Sequence, residues 1–280
     1  AMPSDNRPSR AFTRLSPFYQ PIAHRGLHDQ ARGITENSPA AFRAACAANV
    51  AIECDIRLGN AGAAIVFHDA DLARVMGRPE RLADLPARAL AAIPYPGTRD
   101  TILSIGDLFD LVDGTVPLMC ELKVDGADEV MPLVDAVLDA ASAYRGAIAL
   151  KSFSADAVAR IRDKAPTLPR GIVARDDTWA ETASPETRAI LGAADRMAHL
   201  LDSGPAAPHF ISYRASDLKN PVVRYLRQVV GLPVFAWTIA SRDDLLAARP
   251  FADVPVFEAL TPEEVRGLWS FDGPADADGS

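Results

Sequence analysis

Two acidic residues, Glu53 and Asp55, stand two positions apart in the run AIECDIRL, and a third, Glu121, stands two positions before Lys123 in PLMCELKV. Successive side chains of a β-strand point to opposite faces. Glu53 therefore shares a face with Asp55, and Glu121 with Lys123, while Ile52, Cys54, Ile56, Cys120, Leu122 and Val124 take the other face. Strands covered on both sides normally read as nearly continuous Val, Ile and Leu, so carboxylates on the inner phase of two separate strands need a chemical reason. Two carboxylates about 4 Å apart repel by roughly 4 kcal/mol at an effective dielectric near 20, and a third adds to the strain. Some of the acids are then protonated, or a divalent cation lies between them, or each pairs with a surface arginine. Oxygen-only ligands suit a hard ion such as Mg2+ or Ca2+. Zinc favours nitrogen and sulfur ligands, and the cysteines here are out of phase. Without an ion the cluster is expected to repel itself.

Two histidines converge on the same place. His24 ends the apolar start of PIAHRG, and His68 ends AAIVFHD. A lone histidine is more often structural than chemical, but two beside an acid cluster suit a general acid and a general base. Arg25, next to His24, offers a planar fork of donors that matches a phosphate oxygen pair. Lys151 in ALKSF shares the phase of Phe153, a position open to the site. His28, His199 and His209 have no such company and are read as surface or core residues.

These residues need a frame. Strands are expected near 22–24, 51–57, 117–122, 147–152, 170–174, 209–213, 233–238 and 255–258, with Ala-rich helices between most of them. Ser38 before Pro39, Ser154 before Ala155 and Thr261 before Pro262 are helix N-caps, and Pro166 stops the second of these helices. Eight strands alternating with helices in about 250 residues is the count of a (β/α)8 TIM barrel, with a doubly wound open sheet as the alternative. In such a barrel, chemistry gathers at the C-terminal rim of the strands, where His24 falls. Only GNAG separates AIECDIRL from AAIVFHD, too short for a parallel crossover. Gly59, Asn60 and Gly62 are hairpin residues, so 63–68 should fold back antiparallel and bring His68 beside Ile52 and Glu53. The stretch from about 58 to 115 then becomes an insertion at the barrel mouth after the second strand. Residues 1–19 read as a flexible lead-in, 20–272 as the barrel, and 273–280, small and polar, as a disordered tail.

Composition narrows the function. A chain of 280 residues with 49% hydrophobic content buries a large core. A net charge of −8 argues against a nucleic-acid partner and requires any anionic substrate to be drawn in by a local cationic site. Three cysteines without a CxxC pair suit a reducing compartment. No run of about 18 apolar residues predicts a membrane span, and no signal-peptide core is visible. A cytoplasmic location is the expectation, although a leader already removed would leave the same sequence. Oligomeric state is not set by any motif.

In order along the chain stand HRG at His24–Gly26, EN at Glu36–Asn37, ExD at Glu53–Asp55, HD at His68–Asp69, ExK at Glu121–Lys123, SF at Ser152–Phe153 and WT at Trp237–Thr238. With these motifs the chain resembles the glycerophosphodiester phosphodiesterases from about residue 21 to 240. The resemblance implies a metal-dependent phosphodiesterase on a TIM barrel, cleaving glycerophosphodiesters to an alcohol and sn-glycerol 3-phosphate. Glu53, Asp55 and Glu121 would hold one divalent cation, Mg2+ or Ca2+, and His24 and His68 would act as general acid and base. Arg25 and Lys123 would steady the phosphate, Trp237 would form part of the substrate wall, and Glu36 would act close by. Three departures stand out: Thr35 replaces the usual proline before EN, Lys151 enters the SF strand, and the last strand reads VFEALTP where the family tends to show TD and a proline.

Within the insertion, the stretch LARVMGRPERLADLPARALAAIPYPG is Arg-rich with one aromatic, Tyr95, and lacks the Trp- or Phe-bearing face that lodges a protein in a bilayer. Small soluble diesters are therefore the expected substrates, with no stable membrane insertion, and Lys151 is a further contact for an anionic head group. The rival readings are a related lysophospholipase D type of phosphodiesterase and a non-catalytic barrel that captures phosphate esters. An amidohydrolase-type barrel would place an HxH pair on its first strand, and HRGLH does not.

Overall fold

The structure is a computed structural model that describes residues 14–177 and 194–271. Eight strands run parallel in a closed ring: β1 (Ile22–Ala23), β2 (Ala51–Leu58), β4 (Leu118–Lys123), β5 (Ile148–Ser152), β6 (Arg170–Ala174), β7 (Phe210–Arg214), β8 (Val234–Ile239) and β9 (Val254–Phe257). β9 returns to pair with β1, and β1 with β2, so the sheet has no free edge and is a (β/α)8 barrel. Each of the eight expected strands lies within one residue of its observed limits.

The helices begin where the caps require. The Ser38 hydroxyl accepts from Ala41 N at the head of Pro39–Ala47, and Ser154 does the same for Ala155–Lys164. Thr261 and Glu264 form a reciprocal capping box at Pro262–Leu268. Cys54 and Cys120 point outward under these helices and lie in the barrel's main apolar layer.

Inside, the lower barrel is closed by apolar side chains, among them Met119, Phe210 and Phe235. Gly171 on β6 makes room for this plug, because a Cβ there would sit 2.2 Å from the Phe210 ring. Leu15 and Phe18, within the lead-in expected to be flexible, are fully buried in the same cluster. The folded unit thus starts before residue 20, since two large apolar side chains cover the bottom of the ring. Residues 1–13 and the tail 273–280 lie outside the described residues.

The insertion departs where the hairpin was expected. β3 (Ala64–Val66) pairs antiparallel with β2, Ile56 facing Val66 and Leu58 facing Ala64. The turn is one residue shorter than GNAG: Gly59 N donates to Ala63 O at 2.7 Å, and Asn60, Ala61 and Gly62 make the bend, the last two at φ 54° and 81°. Drawing Gly59 into the ladder slides the pairing by one position, so the register continued past Phe67 sets His68 opposite Cys54 and not beside Ile52 and Glu53. Beyond β3 the insertion has its own small core of Phe67, Leu72, Met76, Leu82, Tyr95 and neighbours. Tyr95 is buried there, its hydroxyl 3.4 Å from Asn37 O, and so does not front the roof. Among the described residues no helix is long and apolar enough to cross a membrane.

Candidate active site

The first loop is shaped by backbone geometry. Arg25, Gly26 and Asn37 all adopt positive φ, at 56°, 78° and 52°. Gly26 has no alternative, because a Cβ would meet the Ala41 backbone at 2.9 Å. The resulting turn aims Arg25 inward: its N–H donates to Glu53 Oε2 at 3.2 Å, its Nη1 donates to Glu36 Oε1 at 2.8 Å, and its Nε lies 3.1 Å from Asp55 Oδ2. The Asn37 amide donates to Asp55 Oδ2 at 2.9 Å and accepts from Asp55 N at 3.2 Å. Both halves of HRG…EN thus hold the acids of β2.

Glu53, Asp55 and Glu121 are buried at 0%, 1% and 5% exposure, each offering one oxygen within 4.8 Å of the others. The cluster is not self-repelling, contrary to the expectation from the acids alone. Lys151 Nζ lies 2.9 Å from Glu53 Oε1 and 3.2 Å from Glu121 Oε2. Lys123 Nζ lies 3.1 Å from Asp55 Oδ1 and bonds Glu121 Oε1. Burial pushes the Asp55 carboxyl up, but Lys123 and Arg25 outweigh it and hold the group well below the usual carboxylate range. Glu121 behaves alike, its burial overcome by Lys151 and Lys123. Two inward lysines do what the arginines in the ion-free alternative were to do.

The two histidines are each anchored through Nδ1. His24 Nδ1 is 2.7 Å from Glu258 Oε2, which leaves Nε2 toward the acids, 4.0 Å from Glu53 Oε2. His68 Nδ1 is 2.6 Å from Asp69 Oδ1. Asp69 is itself held by Arg74 Nε at 2.6 Å, and Arg74 also grips both oxygens of Glu36 at 2.6 and 2.9 Å. Both imidazoles are close enough to lower Asp55 further by their charge. The hydrogen bond from His24, followed by the nearby His28 imidazole, holds the Glu258 carboxyl far below its ordinary value. His28 is therefore not an idle surface group: its Nε2 lies 3.6 Å from Glu258 Oε2.

The wall of the mouth is aromatic on one side. Trp237 donates its indole N–H to Ser212 O at 3.0 Å and meets Phe153 edge-on at 5.6 Å between centroids. Lys123 Nζ and the Arg175 guanidinium each sit 5.9 Å from the Phe153 ring centre. Lys151, 1% exposed, lies at the base on the acids.

Four partners escaped the motif reading. Glu258 follows the end of the last barrel strand, a rim position that the barrel rule itself flags. Asp69 and Asn37 stand inside the HD and EN motifs without an assigned role. Arg74 carries no sequence signal, because its two partners meet only in three dimensions.

The donor set fits a hard divalent ion. All three acids are buried and offer oxygen alone, and one of their present partners, Lys123, keeps 15% of its side chain exposed at the strand end, on the side of the mouth.

Residues 24–252 match the model of the glycerophosphoryl diester phosphodiesterase family. The chain belongs to this family. It is accordingly an enzyme, a phosphoric diester hydrolase. No curated protein sequence matches it. Among solved structures, an Oleispira antarctica phosphodiesterase in complex with the product sn-glycerol-3-phosphate aligns at TM-score 0.68 and 18% identity, over 91% of this chain and 98% of its own. A Parabacteroides distasonis glycerophosphodiester phosphodiesterase aligns at 0.67 and 16%, over 89% and 95%. One from Thermotoga maritima aligns at 0.62 and 21%, over 88% and 96%. These neighbours share the barrel fold.

Proposed function

We propose that the chain hydrolyses glycerophosphodiesters to an alcohol and sn-glycerol 3-phosphate, with one divalent cation and a histidine pair. The observation that carries this reading is the meeting of two carboxylate-anchored imidazoles, His24 and His68, above a buried cluster of three carboxylates. The product bound in the Oleispira antarctica neighbour supports the choice of ester.

Glu53, Asp55 and Glu121 would hold Mg2+ or Ca2+, and the bound ion supplies charge neutralisation to the non-bridging phosphate oxygens. The protein's own groups do the rest. One imidazole takes the proton from the attacking O–H, and the other gives one to the oxygen of the leaving alcohol. Glu258 and Asp69, each bonded to Nδ1, keep Nε2 as the working nitrogen of both rings. Arg25 and Lys123 flank the phosphate as donors, Glu36 orients Arg25, and Trp237 with Phe153 forms the wall against which the substrate lies. Lys151 acts through the acids and not on the head group.

Small soluble diesters are the substrates this mouth suits. The large hydrophobic side chains that are exposed among the described residues, such as Met131, Tyr225 and Val229, lie outside the insertion, and Tyr95 is buried within it. Three cysteines without a CxxC pair suit a reducing, cytoplasmic setting, and the Cys54 thiol donates to Cys120 Sγ at 3.6 Å. The test is a side-by-side assay. Release of choline from glycerophosphocholine should outpace release from lysophosphatidylcholine, and the reverse order would move the enzyme to the lysophospholipase D type. Binding of the diester without release of any alcohol would make it a capture barrel.

A further inference from the structure

Every oxygen of the three buried acids already lies within 3.2 Å of a cationic or N–H group of the protein, Glu53 Oε1 through its ion pair with Lys151 and no hydrogen bond. Glu53 meets Lys151 and the Arg25 amide; Asp55 meets Lys123, Arg25 and Asn37; Glu121 meets both lysines. Three carboxylates face three cationic side chains, Arg25, Lys123 and Lys151, and the charges cancel without any ion.

The two lysines are not equivalent. Lys123 ends β4 at the mouth with 15% of its side chain exposed, and the Phe153 face lies 5.9 Å from its ammonium. It has both an exit to water and a ring to rest on. Lys151 has neither. It is 1% exposed, on the inner face of β5, with the acids around its Nζ and the apolar plug of Ala149, Met119 and Phe210 beneath. An ammonium cannot retreat into that plug without losing its partners at a cost far above thermal energy.

We infer that Lys151 is a permanent resident cation of the acid cluster: it keeps the ion-free barrel folded and sets the affinity for the divalent cation low by standing against two of its three ligands. The inference rests on the metal reading of the site given above. A fixed positive charge within bonding distance of Glu53 and Glu121 repels an incoming divalent ion through a poorly screened medium, an effect that exceeds a tenfold change in affinity. The same charge removes the carboxylate repulsion that would otherwise burden the ion-free state.

The test uses Mn2+ as probe on the full chain. Binding is read from the electron paramagnetic resonance of free Mn2+, and ion-free stability from urea unfolding, for wild type, Lys151→Met and Lys151→Gln. Both variants should bind Mn2+ at least tenfold more tightly than wild type and should unfold at lower urea without it. If Lys151→Met does not fold in chelator, folding on addition of Mn2+ supports the inference, and Lys151→Gln, which keeps a donor without the charge, gives the affinity. Mn2+ binding that is unchanged or weaker in Lys151→Gln overturns it. That outcome with metal-dependent hydrolysis intact in wild type would leave the functional reading standing. Wild-type hydrolysis at full rate in excess chelator would instead overturn the metal reading and this inference together.

Discussion

Glu258 Oε2 and His24 Nδ1 meet at 2.7 Å across 234 positions of sequence. One residue follows the last barrel strand and the other follows the first, so ring closure between β9 and β1 creates the contact. In the proposed mechanism Glu258 is a positioning residue that selects the tautomer of His24 presenting Nε2 to the site. Glu258→Gln should lower kcat about 10- to 100-fold while KM changes little, and should displace the limb of the pH–rate profile that belongs to His24, in the range of general acid–base effects. Glu258→Asp should recover part of the rate. A loss of stability with kcat and pH profile unmoved would reduce Glu258 to a structural ion pair.

Removing either imidazole of the proposed proton pair should be more severe. His24→Ala and His68→Ala should each cost on the order of 10²–10⁴ in kcat, the usual worth of a positioned acid or base. The wild-type profile should be bell-shaped, and each variant should lose one limb. Either variant keeping more than about a tenth of the wild-type rate would remove that histidine from the chemistry.

Chelator should abolish turnover, and Mg2+, Ca2+ or Mn2+ should restore it. Glu53→Gln should be inactive and also less stable by several kcal/mol in urea unfolding, because it leaves Lys151 buried with one carboxylate fewer. Unchanged stability of Glu53→Gln would show that the lysine is not held by that acid.

Acid stability should report on His209, whose pKa burial and the nearby Arg170 push down to about 4. Its Nδ1 accepts from Arg170 N at 3.3 Å, so the folded protein prefers the neutral ring. Between about pH 6.5 and 4 the unfolded chain binds a proton that the folded chain refuses, so stability falls with falling pH across that window and the loss is complete below it. After allowance for partial exposure the effect is roughly 1–2 kcal/mol. The difference in urea midpoint between wild type and His209→Gln should therefore change over this window; a difference that is flat with pH refutes the assignment.

Gly171→Ala should test the barrel plug. The added methyl would stand 2.2 Å from the Phe210 ring and should cost about 1–3 kcal/mol, the range for overpacked cores. Phe210→Leu in the same chain should return most of it, as read by thermal unfolding.

The alternation of acids with apolar residues in β2 and β4 was enough to locate the cluster, because a barrel strand fixes which phase points inward. The helix caps at Ser38, Ser154 and Thr261 were equally readable, since a cap is a local device. What stayed hidden depends on distance in sequence. Nothing in ALKSF says that Lys151 would meet Glu53 and Glu121, and an acid cluster read without its lysines looks self-repelling. Arg74 is silent for the same reason, and Glu258, although its place at the rim was readable, gives no sign in sequence of its partner His24. The hairpin slip has a different origin: whether Gly59 belongs to the turn or to the ladder is decided by one hydrogen bond, to Ala63 O.

His24 is mounted on the barrel ring, whereas His68 follows β3, whose side chains divide between the main core (Ala64 and Val66) and the insertion's own small core (Ile65 and Phe67). The two imidazoles of the proposed mechanism thus sit on different elements, joined by the β2–β3 ladder, by Arg57 Nε donating to His68 O, and by Arg74 gripping both Asp69 and Glu36. In the proposed mechanism the proton relay is therefore a clasp, with one tooth on the ring, the other on the roof, and Arg74 as its catch.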